Sequence, residues 1–108
     1  QQVVDSLLQV ANMLLAQRRF AEAEPAFQNA IAALRAIGLG ETHYVTISFI
    51  GLSTAQFFTA KFGDTATSAQ EGASIEKRLP NRDVEVEAKL LINLANANNG
   101  IEIFVIYC

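Results

Sequence analysis

Phenylalanine recurs at a constant interval in this chain and sets the period of an internal repeat. Phe20, Phe62 and Phe104 are each 42 residues from the next. A basic residue precedes each of the first two phenylalanines: Arg19 aligns with Lys61 when Phe20 and Phe62 are superposed. A period in this range is typical of repeat arrays, in which each unit buries its core against its neighbours. Such arrays usually hold a partner rather than carry out chemistry, so the repeat also favours a binding function.

The composition agrees with one small domain over residues 1–108. Hydrophobic residues make up 51% and charged residues 18%, which is not a disordered composition. The net charge of −3 gives no attraction to nucleic acid or to an anionic membrane surface. The single cysteine, Cys108, excludes an internal disulfide and favours a reducing compartment, so we predict a cytoplasmic location. No apolar run approaches the length of a membrane span, and the N-terminus has no signal-peptide pattern.

Helical spacing of apolar residues predicts five helices. The first four are expected at about 3–17, 21–37, 43–60 and 64–78. Gly38 is expected to end the second helix and Pro80 the fourth. Residues 44–50 are rich in β-branched and aromatic side chains and also permit a strand, but their phase within the repeat favours a helix.

A fifth helix is expected to begin after Asp83, whose carboxylate can cap the first turn. Its inner stripe is predicted to contain Ala88, Leu91, Leu94, Ala95 and Asn98. Asn99-Gly100 is a stop signal, so the apolar segment 101–108 is predicted to be an irregular tail. Because unpaired apolar surface favours aggregation, we expect 101–107 to fold back on the bundle or to mediate self-association, with Phe104 best buried.

No pattern of catalytic, cofactor-binding or metal-binding residues occurs in the chain. His43 is the only histidine and has no second His or Cys at ligand spacing, so it is expected to cap a helix. Gly38-Leu39-Gly40 follows a helix and lacks the lysine of a phosphate loop. Two acid pairs are expected to be solvated surface charges: Glu22 with Glu24, and Glu85 with Glu87. We therefore predict neither an enzyme nor a cofactor.

The first unit resembles the tetratricopeptide repeat, and the 42-residue period resembles its kinesin-light-chain type. The signature positions hold Val10, Ala11, Leu14, Phe20, Ala23, Phe27 and Ala30. Two stretches are similar to that subtype in detail: Phe20-Ala-Glu-Ala-Glu-Pro-Ala-Phe27 and Leu39-Gly-Glu-Thr-His43. The resemblance implies an all-α superhelix, or solenoid, of antiparallel helix hairpins, with repeats over about 3–40 and 43–80 and a partial repeat over 83–108. Since the chain begins with Gln1 and ends soon after Phe104, we expect it to be part of a longer array or a processed chain.

The resemblance also implies a protein–protein interaction module, because inner helices in this family line a concave groove that binds peptides. By phase, this groove would present Gln9, Asn12, Thr54, Phe57, Phe58, Lys89, Asn93 and Asn96. Asn and Gln side chains donate and accept hydrogen bonds, so they can hold the backbone of an extended peptide. An open alternative is that the asparagines are solvated helix residues. The alternative function is a structural segment of a longer repeat scaffold, which exposed apolar residues on the fifth helix would favour.

Overall fold

Five helices form the chain in the computed structural model, which describes the backbone of residues 2–107 and the side chains of residues 4–99. They are α1 (Gln2–Ala16), α2 (Phe20–Ala36), α3 (His43–Phe58), α4 (Phe62–Arg78) and α5 (Val84–Tyr107). No strand occurs in that part of the backbone, and residues 44–50 are helical as predicted. The all-helical class predicted from the sequence is therefore confirmed.

The helices are arranged in two layers. Each helix packs on the next one in the chain, and α3 also contacts α1 and α5 directly. We call α1, α3 and α5 the inner layer, and α2 and α4 the outer layer. The Cα radius of gyration is 13.7 Å, close to the roughly 13 Å expected for a compact domain of this size. The superhelical arrangement implied by the family resemblance stays a prediction.

The 42-residue period is also a period of backbone conformation. α1 and α3 end 42 residues apart, and α2 and α4 begin and end 42 residues apart. Arg18 follows α1 and Ala60 follows α3, and their φ angles are 60° and 61°. Arg19 and Lys61 precede the next helices with φ of −91° and −92° and ψ of 67° and 66°. The sequence repeat therefore specifies two copies of one helix hairpin, including its turn.

The turn after α3 ends the helix with a left-handed residue that is not glycine. The N–H of Lys61 donates to the carbonyl of Gln56 at 2.9 Å, and the N–H of Ala60 donates to that of Phe57 at 3.0 Å. These two bonds form a Schellman motif, which usually places glycine at the left-handed position. A non-glycine residue pays roughly 1–2 kcal/mol for that conformation. Ala60 therefore holds strain that glycine would remove.

Replacing Ala60 with glycine is expected to raise the free energy of unfolding by roughly 0.5–1 kcal/mol, because the strain removed exceeds the extra unfolded-state entropy of glycine. Ala32, exposed in the middle of α2, offers a matched control. Ala32→Gly should lower the free energy of unfolding by about 1 kcal/mol. Urea titration of both variants measures the two changes. A loss of stability in Ala60→Gly would show that the turn carries no such strain.

Small residues allow the helices of the core to approach closely. Phe27 is 1% exposed and fills the core of the first hairpin. Its ring lies over Gly51 of α3, where an added Cβ would stand 2.2 Å from the ring. At Gly72 of α4, an added Cβ would stand 2.7 Å from the Cβ of Phe49. Both glycines therefore allow close interhelical packing.

Two predicted helix boundaries are confirmed at the start of α5 and the end of α4. The Asp83 carboxylate accepts hydrogen bonds from the N–H groups of Glu85 at 3.0 Å and Val86 at 3.3 Å. Asp83 thus satisfies amides that have no partner within the helix. Leu79, which precedes Pro80, has φ of −74° and ψ of 140°. This is the extended conformation that a following proline favours.

The predicted end of α5 is wrong. The helix continues to Tyr107, so Asn99-Gly100 does not stop it, and the backbone of 101–107 is not an irregular tail. A glycine inside a helix is only about 1 kcal/mol less favourable than alanine. That difference alone is too small to end a helix where the chain does not also turn back. The expected burial of Phe104 and self-association through 101–107 concern side chains outside the described residues.

The buried stripe of α5 also differs from the predicted one. Val86, Leu90 and Ala97 are buried, whereas Leu91 is 48% exposed and Leu94 is half-buried. The other members of the predicted stripe are exposed: Ala88, Ala95 and Asn98. Apolar residues lie on more than one face of α5, and the helical period alone does not say which face meets α3 and α4.

Candidate functional site

The eight residues predicted to line a groove belong to the inner layer, and we call their surface the inner face. Five are exposed: Gln9, Asn12, Phe58, Lys89 and Asn96. Thr54 is half-buried and accepts a hydrogen bond from Asn93. Phe57 and Asn93 are half-buried and contact neighbouring residues. The structure therefore leaves polar amides of α1 and α5 accessible on either side of α3.

Asn93 joins α5 to α3. Its side-chain amide donates to the hydroxyl of Ser53 at 2.8 Å and to that of Thr54 at 3.2 Å. Thr54 in turn donates to the carbonyl of Ile50 at 2.8 Å. The amide donors of Asn93 are thus engaged within the inner layer, and its position is set by interhelical hydrogen bonds. Asn12 and Asn96 are the exposed asparagines of the predicted set.

Phe57 and Phe58 lie in an aromatic cluster at one edge of the inner face. Phe58 stacks on Phe20 with 4.6 Å between ring centroids and 15° between ring planes. Phe57 contacts Phe62 with a centroid distance of 5.5 Å. The Arg18 guanidinium lies 5.8 Å from the centroid of Phe20 and 5.9 Å from that of Phe58. Phe20 and Phe62, two of the phenylalanines that mark the repeat, therefore pack where the hairpin turns meet, and Phe58 remains 54% exposed.

Two isoleucines belong to the inner face and were missed by sequence reasoning. Ile47 is 50% exposed and lies seven residues before Thr54 on α3. Ile92 is 57% exposed and lies between Lys89 and Asn96 on one stripe of α5. Their spacing places them with the predicted residues, because side chains three, four or seven apart share a helix face. The helical periodicity could therefore have identified both isoleucines from the sequence.

An apolar pocket of about 490 Å³ opens beside the start of α3. Tyr44 and Ile47 line one side, and Leu79 and Pro80 of the α4–α5 connection line the other. His43 lies at its polar rim. Because Ile47 belongs to both surfaces, the pocket extends the inner face at the end opposite the aromatic cluster. No sequence motif marks it, since its walls come from separate parts of the chain.

His43 links α3 to α4 and to the α4–α5 connection. Its Nδ1 lies 3.0 Å from a carboxylate oxygen of Glu76, and its Nε2 lies 3.0 Å from the carbonyl oxygen of Asn81. Both partners are acceptors, so both ring nitrogens donate only when the imidazole is protonated. The sequence predicted a capping role, but the structure shows that His43 joins three parts of the chain.

The Glu76 carboxylate, fully buried on α4, is the centre of this polar cluster. The hydroxyl of Thr46 donates to it at 2.8 Å, and the N–H of Asp83 donates to it at 2.6 Å. Burial acts to raise the pKa of Glu76, but these bonds and the one from His43 outweigh it, so the pKa lies below its ordinary value. Hydrogen bonding to Glu76 is the main cause that raises the pKa of His43. Glu76 therefore links the start of α5 to α3 through its hydrogen bonds with Asp83 and Thr46.

Stability is expected to fall as the pH rises above about 6.5, the ordinary pKa of histidine. The pKa of His43 is raised in the folded chain, so its contribution is complete below pH 6.5 and is lost through the folded pKa. Urea titrations across neutral pH measure this loss, and His43→Gln should flatten the profile. An identical profile in the variant would contradict the prediction. Because the pKa of Glu76 is lowered, its contribution is instead lost in acid, below its ordinary value of 4.5.

Two acids predicted to be solvated are buried. Glu24 is 8% exposed and accepts from Lys61 at 2.8 Å and from Gln56 at 3.2 Å. The hydrogen bond from Lys61 is the main cause that lowers the pKa of Glu24. Glu87 is 5% exposed and accepts from Arg82 at 2.6 Å. Both predictions were wrong because the cationic and amide partners come from other elements or from a loop, which helical spacing does not reveal.

These polar groups form hydrogen bonds between separate parts of the chain. Among the described residues, no group of three His, Cys, Asp or Glu side chains is arranged to hold a metal ion. The described helices also include none that is both long enough and apolar enough to cross a membrane. Comparisons with protein-family models, curated proteins and solved structures found no match. The resemblance to tetratricopeptide repeats therefore rests on the residues of the repeat itself.

Proposed function

We propose that the chain is a protein–protein interaction module that binds an extended peptide on the inner face. The observation that carries the proposal is the exposure of Ile47, Phe58 and Ile92 beside accessible side-chain amides. Large apolar side chains exposed together are typical of interaction sites. The resemblance to kinesin-light-chain-type tetratricopeptide repeats, whose inner helices bind peptides, agrees with this proposal. The proposed module has no catalytic role, no cofactor and no nucleic-acid partner, and we propose a cytoplasmic location for it.

The residues of the inner face suit a peptide of mixed polarity. Asn12 and Asn96 can each donate to a peptide carbonyl and accept from a peptide N–H. Ile47 and Phe58 offer apolar contacts at the two ends of the α3 stripe, and the pocket beside Tyr44 accommodates one larger side chain. Lys89 adds a positive charge at the rim, so an acidic residue near one end of the peptide would be favoured.

Selection of short peptides from a random phage-displayed library against the folded chain tests the proposal. Changing both Asn12 and Asn96 to alanine should weaken a selected peptide about tenfold or more, because each lost hydrogen bond is worth roughly 1 kcal/mol. The melting temperature should remain nearly unchanged, since both side chains are exposed. Asn29→Ala, an exposed asparagine of the outer layer, is the matched control. Failure to select a peptide, or equal effects of both sets of changes, would contradict the proposal.

A second candidate function is a structural segment of a longer repeat scaffold. Leu91 is 48% exposed on a face of α5 that α4 covers only in part, and Leu94 beside it is half-buried. Exposed apolar residues on the fifth helix are the feature that favours this alternative. On this alternative, the α5 face contacts another helix of the scaffold, and the inner face binds no ligand of its own.

A further inference from the structure

A shallow groove of about 220 Å³ runs between α4 and α5, and we call it the end groove. Six of its lining residues carry the argument: Gln70, Ala73, Ser74 and Lys77 of α4, and Leu91 and Leu94 of α5. Leu91 is 48% exposed and Leu94 is half-buried. Glu87 also lines the groove and is paired with Arg82 at 2.6 Å. The end groove therefore combines an apolar wall on α5 with a polar wall on α4 that ends in a lysine.

The same groove occurs one repeat earlier, between α2 and α3, where we call it the middle groove. The six residues that lie 42 positions earlier all line it: Gln28, Ile31, Ala32, Arg35, Phe49 and Leu52. Its volume is also about 220 Å³. Its remaining lining residues are Gln56 of α3 and Ser68 and Glu71 of α4, so a helix already lies along the middle groove. The structure thus contains an occupied copy of the end groove.

We propose that the end groove binds an amphipathic helix with the chemistry of α4. The inference deepens the scaffold alternative and does not depend on peptide binding at the inner face. α4 meets the middle groove with small residues: Ser68 lines the groove, Gly72 lies against Phe49, and both are buried. The partner helix presents small residues to Leu91 and Leu94 in the same way, because the two grooves are lined by residues at matching positions of the repeat.

A charge pair sets the register of the partner helix. In the middle groove, Arg35 of α2 donates to the carboxylate of Glu71 on α4 at 2.8 Å. Lys77 occupies the position of Arg35 one repeat later and lines the end groove. We therefore expect the partner helix to carry an acidic residue at the position equivalent to Glu71 of α4, where its carboxylate lies opposite Lys77. An acidic residue at that position is part of the proposed chemistry.

The partner helix requires glycine one residue after this acid. Gly72 follows Glu71, and an added Cβ there would stand 2.7 Å from the Cβ of Phe49. Leu91 occupies the position of Phe49 in the end groove and also has a Cβ. A large side chain in place of Gly72 would therefore clash in either groove. This requirement distinguishes the proposed partner from helices that merely have one apolar face.

The probe is a labelled peptide with the sequence of residues 62–78, stapled between the exposed positions of Gly63 and Thr67 so that it is helical. Titration with the full chain, followed by fluorescence anisotropy, should show saturable binding. Leu94→Glu in the chain should weaken binding at least tenfold. Leu91→Glu gives a second test because Leu91 is more exposed, and thermal denaturation shows whether either variant remains folded. A peptide with Gly72→Leu should not bind.

Charge exchange tests the register. Lys77→Glu in the chain should weaken binding by a factor of roughly two to five, the range of an exposed ion pair, and Glu71→Lys in the peptide should restore it. Changing both Asn12 and Asn96 to alanine should leave binding of the helical peptide unaltered. The end-groove inference and the inner-face proposal can therefore fail independently. Absence of binding, or binding insensitive to Leu91→Glu and Leu94→Glu, would overturn the inference. Dimerisation of the chain through Leu91, measured by sedimentation, would also overturn the inference, because a second copy of the chain would then occupy the end groove.

Discussion

Replacing Phe27 with alanine is expected to lower the free energy of unfolding by about 3–5 kcal/mol, the range for removing a buried phenylalanine. Phe27 is 1% exposed and lies between α2 and α3, with its ring over Gly51. The cavity left behind cannot collapse easily, because the helices on both sides are held by other contacts in the core. Urea titration of the variant and the parent chain measures the difference.

Met13 offers a comparison for the Phe27 variant. It is a large apolar residue on α1 but is 53% exposed. Met13→Ala should therefore change stability by less than about 1 kcal/mol. If Phe27→Ala were equally mild, the first hairpin would not depend on this ring, and the packing between α2 and α3 would need another explanation.

Replacing Gly51 with alanine is expected to lower the free energy of unfolding by about 1–3 kcal/mol, the usual range for overpacking a core. On helix propensity alone the change would be favourable by about 1 kcal/mol. The new Cβ would stand 2.2 Å from the Phe27 ring, so the ring or the helix must move. Steric overlap therefore decides the sign against propensity. Thermal and urea denaturation of the variant give the measurement.

Gly63 is the matched control for Gly51. It lies in the first turn of α4, and an added Cβ meets nothing within 4 Å. Gly63→Ala should leave stability unchanged or raise it by up to about 1 kcal/mol. A double-mutant cycle joins the tests, because Phe27→Leu should cost less in the Gly51→Ala background than in the parent chain. Independent effects of the two changes would contradict direct contact between the ring and the added methyl group.

The helix hairpins could be predicted from local sequence because their signals are local. Apolar residues at helical spacing define α1 to α4, and Gly38 and Pro80 mark real ends of helices. The repeat also extended the prediction to residues 44–50, where local propensity was ambiguous. Local sequence did not predict the left-handed conformation of Arg18 and Ala60, because arginine and alanine rarely adopt it.

The candidate site was predicted less completely than the fold. Helical phase placed Asn12, Lys89 and Asn96 on accessible positions of the inner layer. It did not show that Asn93 donates across to α3, because that contact joins residues about 40 positions apart. Nor did it show the pocket beside Tyr44, whose two walls meet only in the folded chain.

The sequence by itself determined the helical class, the 42-residue period and the hairpin boundaries, because each depends on residues close together in the chain. Only the tertiary structure decided which face of α5 is buried and which acids are paired. Glu24 and Glu87 were predicted to be solvated, yet each is buried beside a cationic partner that lies outside its own helix. Burial of a charge is determined by what surrounds it in space, and the spacing of residues along one helix does not contain that information.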